Sequence, residues 1–348
     1  MQHFLEERTM QTLIELLNII SPTGRAERAI EYIEERMKQI DVEPIATNKG
    51  GLLITLPGTN DQVHRFLTAH VDTLGAMVKE IKSNGRLKLT QIGGFGWFSV
   101  EGAYCQVETR SGKLISGTIL NSHTSVHVYE DATEQKRSDD NIEVRLDAKV
   151  KNAEDVKALG INVGDFVSFD PHVQVTDTGF IKSRHLDDKA SVAILIELIQ
   201  AIKENQITLP HTTHIYFSTF EEVGFGANSN IPAQVREYLA VDMGAIGDGQ
   251  TTDEYCVSIC AKDGTGPYHY GLRNKLVQLA EENNIYYQVD IYPYYGSDAS
   301  AAVRAGYDII HGLIGPGVEA SHAYERTHRD ALENTFRLLY HYLLSESL

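Results

Sequence analysis

Five short clusters in this chain carry residue types that bind metal ions or move protons. They are AHVD with His70 and Asp72, RHLDDK with His185, Asp187 and Asp188, TFEEVG with Glu221 and Glu222, VDMG with Asp242, and ASHAYE with His322 and Glu325. Each is a weak signal alone. An Asp ahead of a helix usually caps it, and that ordinary role stands for Asp188. A Glu-Glu pair is usually a solvated turn, and a histidine at a strand end is more often structural than a ligand. Together they say more, because AHVD, FEEVG and VDM each directly follow a strand-like apolar run. A carboxylate or imidazole leaving a buried strand has to find a partner.

Imidazole and carboxylate ligands suit Zn²⁺, Mn²⁺ or Co²⁺. A two-metal hydrolytic site holds its ions roughly 3.5–4 Å apart and needs one carboxylate that can give an oxygen to each. Asp187 can bridge. His70 and Asp242 could complete one ion's protein shell, and Glu222 and His322 the other's, although chemistry alone allows several pairings. Water held at such a site is acidified toward neutrality. A nearby unligated carboxylate then takes its proton and passes it to the leaving amine. Glu221 precedes Glu222 and can approach the same water, and Asp72, two residues after His70, could orient that imidazole. The spacing tells against other classes. There is no HExxH helix, no Cys₄ or Cys₂His₂ set and no nucleophile elbow with an obvious triad. DMGAIGDG lacks the Lys-Ser/Thr ending of a phosphate loop.

Elements must position these groups. The first 40 residues read as helical, and Ala26, Ala29, Ile30, Ile33, Met37 and Ile40 build the apolar face of a second helix. GGLLITLPG predicts a strand closed by a Pro-Gly turn. HRFLTAHVD predicts another, so the two should form a hairpin or an adjacent pair. From about residue 75 to 175 the chain turns to short alternating runs, as in GRLKLTQIGG, AYCQVETRSGKLISGTIL and GDFVSFDPHVQV. VYEDATEQKRSDDNIE reads as an exposed charged loop among them. This block, 73–176, predicts a small β-barrel-like domain inserted between two parts, 1–72 and 177–348, of a main domain. LDDKASVAILIELIQAIKEN then predicts an amphipathic helix with a wide apolar stripe from Ala190 to Ile202. HTTHIYFSTFEEVG, REYLAVDMG, NIYYQVDIYPYY and YDIIHGLIG read as strands, and Leu332, Phe336, Leu339 and Leu343 carry a final helix. The alternation implies an α/β fold, a mixed sheet covered by helices on both faces. Ligands bind such sheets beyond the carboxyl ends of the strands.

The 348 residues suit about two domains. With 42% hydrophobic and 23% charged residues, the composition is that of a soluble globular protein. No run is long and apolar enough to span a membrane. MQHFLEERTMQTLIELLNII mixes charges with helically spaced apolar residues, unlike a signal peptide, so a cytoplasmic location is expected. Three cysteines, Cys105, Cys256 and Cys260, fit a reducing compartment. Cys256 and Cys260 have no second pair to complete a metal site and read as small buried strand residues. The net charge of −17 repels nucleic acid and anionic membranes, so neither is expected as a partner.

The ordered set His-x-Asp, Leu-Asp-Asp, Glu-Glu-Val-Gly, Val-Asp-Met and Ser-His-x-x-Glu resembles the tetrahedral (TET-type) dinuclear-metal aminopeptidases. These include glutamyl and leucyl aminopeptidase-like proteins and relatives long labelled cellulases or endoglucanases. The resemblance covers nearly the whole chain, insert included, and GSDASAA (296–302) looks like the family's Gly-Thr-Asp-Ala segment near the substrate cleft. It implies a dinuclear zinc-peptidase fold that releases N-terminal residues from peptides. It places His70 and Asp242 on one metal, Glu222 and His322 on the other, and Asp187 between them. Glu221 would be the general base and Asp72 the support of His70. It implies two divalent ions per subunit, zinc, cobalt or manganese. It also implies an insert that dimerises and a homo-oligomer ranging from a dimer to a hollow dodecamer. Thr73-Leu74-Gly75 departs from the usual Glu-Ile/Val-Gly. Lys189 replaces an Arg and loses its planar fork. NSHTSVHVYED differs from the usual His-containing motif of the insert. None of these removes a ligand. A dinuclear carboxypeptidase or a deacylase of N-acyl amino acids would share the ligands but not a need for a free α-amino group. A glycosidase needs two carboxylates about 5–10 Å apart and no metal. A non-catalytic scaffold has no use for Glu221 beside a full ligand set.

Overall fold

Two amphipathic helices open the chain. α1 (Glu6–Leu17) buries Leu13, Leu16 and Leu17, and α2 (Glu27–Lys38) buries Ala29, Ile30, Ile33 and Met37, the stripe its sequence predicts. The structure is a computed structural model and describes residues 4–347. β1 (Ile45–Ala46), β2 (Leu52–Leu56) and β3 (Gly58–His70) follow. Next come β4 (Gly75–Ile81), β5 (Leu87–Ile92), β6 (Tyr104–Glu108), β7 (Leu114–Asn121), β8 (Ile142–Leu146) and β9 (Phe166–Phe169). These six antiparallel strands close into a barrel in the order β4-β5-β8-β7-β6-β9. Their alternate residues, among them Val78, Leu89, Val107, Ile119, Val144 and Val167, fill its core. α3 (Ala153–Ala158) was not expected in this block. The Asn152 side chain caps it by accepting the Asp155 N–H, and Val156 packs into the barrel core. The charged loop is exposed for most of its length, but its last residues, Ile142 and Glu143, belong to β8.

β10 (Gln174–Val175) and β11 (Phe180–Ser183) lead into α4 (Leu186–Glu204). This helix is covered beyond the wide apolar stripe its sequence predicts, because every residue from Leu186 to Ile202 is buried. The cause is double cover. One side packs on the sheet while α1 and α7 (Arg329–Leu344) close the other. Its polar residues therefore need partners, and Glu197 meets Arg8 at 2.7 Å.

The remaining elements are β12 (Leu209–Ser218), β13 (Val235–Val241), β14 (Gly244–Ala245), β15 (Val257–Lys262), α5 (Tyr270–Glu282), β16 (Tyr287–Ile291), α6 (Asp298–Arg304), β17 (Ile310–Val318) and β18 (Glu325–His328). The main sheet runs β1-β2-β12-β3-β13-β17-β15-β16, with β14 paired to β17, and β10-β11-β18 form a small separate sheet. The expected β2–β3 pairing does not form. β12 lies between them, antiparallel to β2 and parallel to β3. The last seven residues of β3 are all buried, which demands a strand on each side. β12 and β13 supply both, in parallel. Gly58 permits the approach, since a Cβ there would lie 2.2 Å from the His211 carbonyl carbon.

Helix cover is uneven. α1, α2, α4, α5 and α7 share one core with Leu67, Ile215, Leu239 and Ile314 on one face of the sheet. α6 and the irregular chain around Ala227 and Ile231 cover the other, over Phe66, Tyr216 and Tyr238. β12, β3, β13 and β17 run parallel, so their carboxyl ends share one edge. Cys260 lies in β15 and Cys256 just before it, and both are buried. No helix among the described residues is long and apolar enough to cross a membrane.

Candidate metal centre

The shared carboxyl edge collects the predicted groups. His70 ends β3 opposite Ser218 of β12. Glu221 and Glu222 follow β12 in a short 3-10 turn, Glu221–Val223, which Gly224 ends at a φ of +88°. Asp242 follows β13, and its N–H bonds to the Ile314 carbonyl of β17. Asp187 lies in the first turn of α4, and His322 lies in the loop from β17 to β18. All seven predicted site residues, Asp72 among them, meet in one cluster, mostly buried but with the His322 side chain 36% exposed.

Asp187 is at the centre. Its Oδ1 is 3.2 Å from His70 Nε2, and its Oδ2 is 3.2 Å from His322 Nε2. Glu222 Oε2 stands 3.4 Å from His322 Nε2, and Asp242 Oδ2 stands 4.0 Å from His70 Nε2. Glu221 Oε2 is 3.7 Å from His70 Nε2. Donors of His70, Asp187 and Glu222 all lie within 4.8 Å of one another, and so do those of His70, Asp188 and Asp242. Two donors about 2.0–2.2 Å from one tetrahedral ion stand roughly 3.3–3.6 Å apart, so this spacing and donor chemistry fit divalent cations.

The charges point the same way. Burial pushes Glu222 up to about 8, with Asp187 adding to it and His322 opposing. Burial pushes Asp242 up to about 7, with Asp187 again adding and His70 opposing. Glu221 is raised well above the carboxylate range by burial, with Asp242 and Asp298 adding. Burial disfavours the charged imidazoles, but Glu222 and Asp187 outweigh it at His322 and raise that group to about 11. At His70, burial is outweighed by Asp187 and Asp72, which hold it well above its ordinary value. Without cations, then, the cluster takes up protons to balance its charge, and divalent ions would replace those protons.

Supporting bonds refine the expected roles. His70 Nδ1 bonds to the Asp72 main-chain oxygen at 2.9 Å, while the Asp72 Oδ1 stands 3.6 Å away. The Asp72 carboxylate instead accepts the N–H groups of Glu221 and Glu222, at 3.2 and 3.4 Å, and the Thr23 hydroxyl at 2.7 Å. It thus anchors the turn that carries both glutamates. Asp188 stands where the regular helix begins, yet its carboxylate accepts the His70 N–H at 3.2 Å. His185 does not join the cluster. It is buried at a φ of +70°, and burial with nearby Lys189 and Arg184 pushes it down to about 3.

Two partners carried no role in the sequence. Glu325 accepts the N–H groups of Asp187 and His322, each at 3.1 Å, so one buried carboxylate ties together the backbones of two predicted ligands. Asp298, inside the GSDASAA segment, accepts the Ser218 hydroxyl and the Ala227 N–H, each at 2.7 Å. The cluster opens on a cleft of about 630 Å³, walled by Met243, Ile246, Tyr292 and Tyr295, with Asp248 and Arg304 exposed at its rim.

Comparison with known proteins decides the family. The profile of the M42 glutamyl aminopeptidases matches residues 50–338.

The chain belongs to this family.

YhfE of Bacillus subtilis (strain 168), which bears an aminopeptidase name, is 61% identical over 338 residues, covering 97% of this chain and 98% of that protein. A TET aminopeptidase from a marine-sediment Thaumarchaeota archaeon has the same fold, with a TM-score of 0.89 at 20% identity over 98% of each chain. So has the TET1 peptidase of Pyrococcus horikoshii, with a TM-score of 0.85 at 23% identity over 97% of this chain and 99% of that one. That protein assembles into a tetrahedron or a large octahedral shell. M42 membership makes this chain a peptide hydrolase of the aminopeptidase class, in a metal-dependent family.

Proposed function

We propose that this M42 chain removes N-terminal residues from peptides at a two-metal centre formed by His70, Asp187, Glu222, Asp242 and His322. The observation that carries the reading is the split of Asp187, whose two oxygens each stand 3.2 Å from a different imidazole. His70 and Asp242 would hold one ion and Glu222 and His322 the other, and a carboxylate so placed could give an oxygen to each; Asp242 stands 4.0 Å from His70, and Glu222 3.4 Å from His322. Zinc, cobalt or manganese would suit these donors. Bound divalent ions would supply an acidified water and a polarised scissile carbonyl.

The chain's own residues do the rest. Glu221 faces the cluster from outside the ligand set. It takes the attacking water's proton and delivers it to the leaving amine. Asp72 holds Glu221 and Glu222 by their N–H groups, and Glu325 holds Asp187 and His322 in the same way. Both carboxylates keep the acceptors aimed inward before substrate arrives. The peptide's first side chain enters the cleft between Met243 and Tyr292.

The same proposal covers the molecule's setting. Residues 1–72 and 177–348 form the catalytic domain, and 73–176 a dimerisation domain. Exposed Phe98, Tyr104, Val126 and Val128 support a role for the insert in self-association. The oligomer lies between a dimer and a tetrahedral dodecamer, in line with the shells of the Pyrococcus relative. Free buried cysteines suit the cytoplasm.

The test is hydrolysis of aminoacyl-p-nitroanilides by purified protein, metal-free and then with Zn²⁺, Co²⁺ or Mn²⁺, beside an N-acetylated control. Metal-dependent release from free-amino substrates alone is expected. Release of p-nitroaniline from the acetylated control as well would show that no free α-amino group is needed and would overturn the aminopeptidase reading. Silence on the panel with acetate freed from N-acetyl amino acids would favour a deacylase, and cleavage only at a peptide's carboxyl end a carboxypeptidase.

A further inference from the structure

The loop that carries Glu221 and Glu222 has little apolar anchorage of its own before Ala227, which is buried in the core. Between Thr219 and Asn228, Val223 is 40% and Phe225 44% exposed. Its base is drawn together by the Phe225 N–H bonding to the Phe220 carbonyl at 3.2 Å and by the stacking of those two rings, 5.3 Å apart. Polar anchors must hold the rest.

One of them is a side chain that belongs to no recognised motif. Lys49 sits in the turn between β1 and β2. Its ammonium donates to the Phe225 carbonyl at 2.8 Å, the Gly226 carbonyl at 2.6 Å and the Asn228 Oδ1 at 2.8 Å. All three N–H groups of the ammonium are thereby engaged. The main-chain oxygen of Lys49 accepts the Thr219 hydroxyl at 2.8 Å. One residue thus grips the loop at both ends, 170 positions away in the chain at its start and 176 to 179 at its finish. It touches neither Glu221 nor Glu222.

We infer that Lys49 is a positioning residue for catalysis, a clamp that fixes the Thr219–Asn228 loop so that Glu221 stays within reach of the attacking water. The inference rests on the proposed role of Glu221 as general base. The geometry explains why a lysine stands here. Three acceptors converge on one point, which a rotating ammonium satisfies and a planar guanidinium does not. A base displaced by about 1 Å can cost on the order of 100-fold in rate while ground-state binding is kept.

The experiment compares the full-length, metal-loaded wild type with Lys49→Met, Lys49→Arg and Lys49→Cys. The Cys variant is also treated with 2-bromoethylamine, which rebuilds an ammonium side chain of the same length. Native Cys105, Cys256 and Cys260 are buried, and treated wild type controls for them. The Met, Arg and untreated Cys variants should lose about 10- to 100-fold in kcat. Their KM should stay within about two-fold, since an interaction made only in the transition state is lost. Bound metal should be unchanged, amide exchange should quicken across 219–228, and alkylation of the Cys variant should restore most of kcat. Full kcat in Lys49→Met would overturn the inference, and so would a loss that confirmed alkylation does not repair. If the wild type itself cleaves nothing, the proposed function fails instead. The exchange data still judge the clamp in that case, because unaltered exchange across 219–228 in Lys49→Met refutes it.

Discussion

At the scale of single residues, the separate duties of neighbouring side chains can be pulled apart. Glu221 and Glu222 are adjacent, yet they face different histidines, Glu222 standing 3.4 Å from His322 and Glu221 3.7 Å from His70. Glu221→Gln should lower kcat by about 10²–10⁴-fold and leave bound metal untouched. Turnover and atomic emission on the same sample check this, and loss of metal would mean that Glu221 is a ligand. Asp187→Asn should behave differently. An amide presents one oxygen where the carboxylate presents two, so retention of both ions should fail after dialysis. His322→Ala, by contrast, should keep about one ion per chain. Equal retention in the two variants would remove Asp187 from its bridging place. These residues are legible in the sequence because each sits in a short motif at a strand end. Glu325 and Lys49 are not. Each acts on a backbone group more than 130 positions away, and although Glu325 stands three residues from His322, no local spacing announces that it will also accept the distant Asp187 N–H.

At the scale of elements, strands are legible where pairing is not. Periodicity marks β2 and β3 correctly, because alternation and apolar runs are local properties. Which strand lies beside which depends on burial from both sides, and chain proximity misleads here. The approach of β12 to β3 depends on the missing side chain of Gly58. Gly58→Ala should destabilise the fold by about 1–3 kcal/mol, since its Cβ would meet the His211 and Thr212 backbone and not a side chain that could swing away. A urea titration reads this, and an unchanged midpoint would mean that the β3–β12 start is soft enough to yield. The full burial of α4 has a similar explanation. Its sequence shows a wide stripe, but the cover by α1 and α7 that buries the opposite side comes from the ends of the chain.

At the scale of the whole molecule, one edge of one sheet gathers enough buried acid and imidazole to make stability a function of metal and pH together. In the metal-free protein, Glu222 and Asp242 hold protons up to about 8 and about 7, and His322 holds one up to about 11. All three values lie above those of the unfolded chain, about 3.9 to 6.5 for these residue types. At these three groups the folded state therefore binds more protons than the unfolded one between those limits, and their contribution to stability falls as pH rises. The stabilising contribution is complete near pH 4. The acids lose it through pH 7 to 8, and His322 loses it only near 11. Asp187 has the opposite sign, since the imidazoles hold it below its ordinary value, but its contribution is already complete above pH 4. Divalent ions take the place of the protons, so the loaded protein should escape this loss. Thermal unfolding should thus show a Tm with EDTA that falls, from pH 5 to pH 9, relative to the Tm of the zinc-loaded protein. The gap between them should widen with pH. Parallel curves would mean that the cluster balances its charge without cations, and the metal centre proposed here would have to be abandoned.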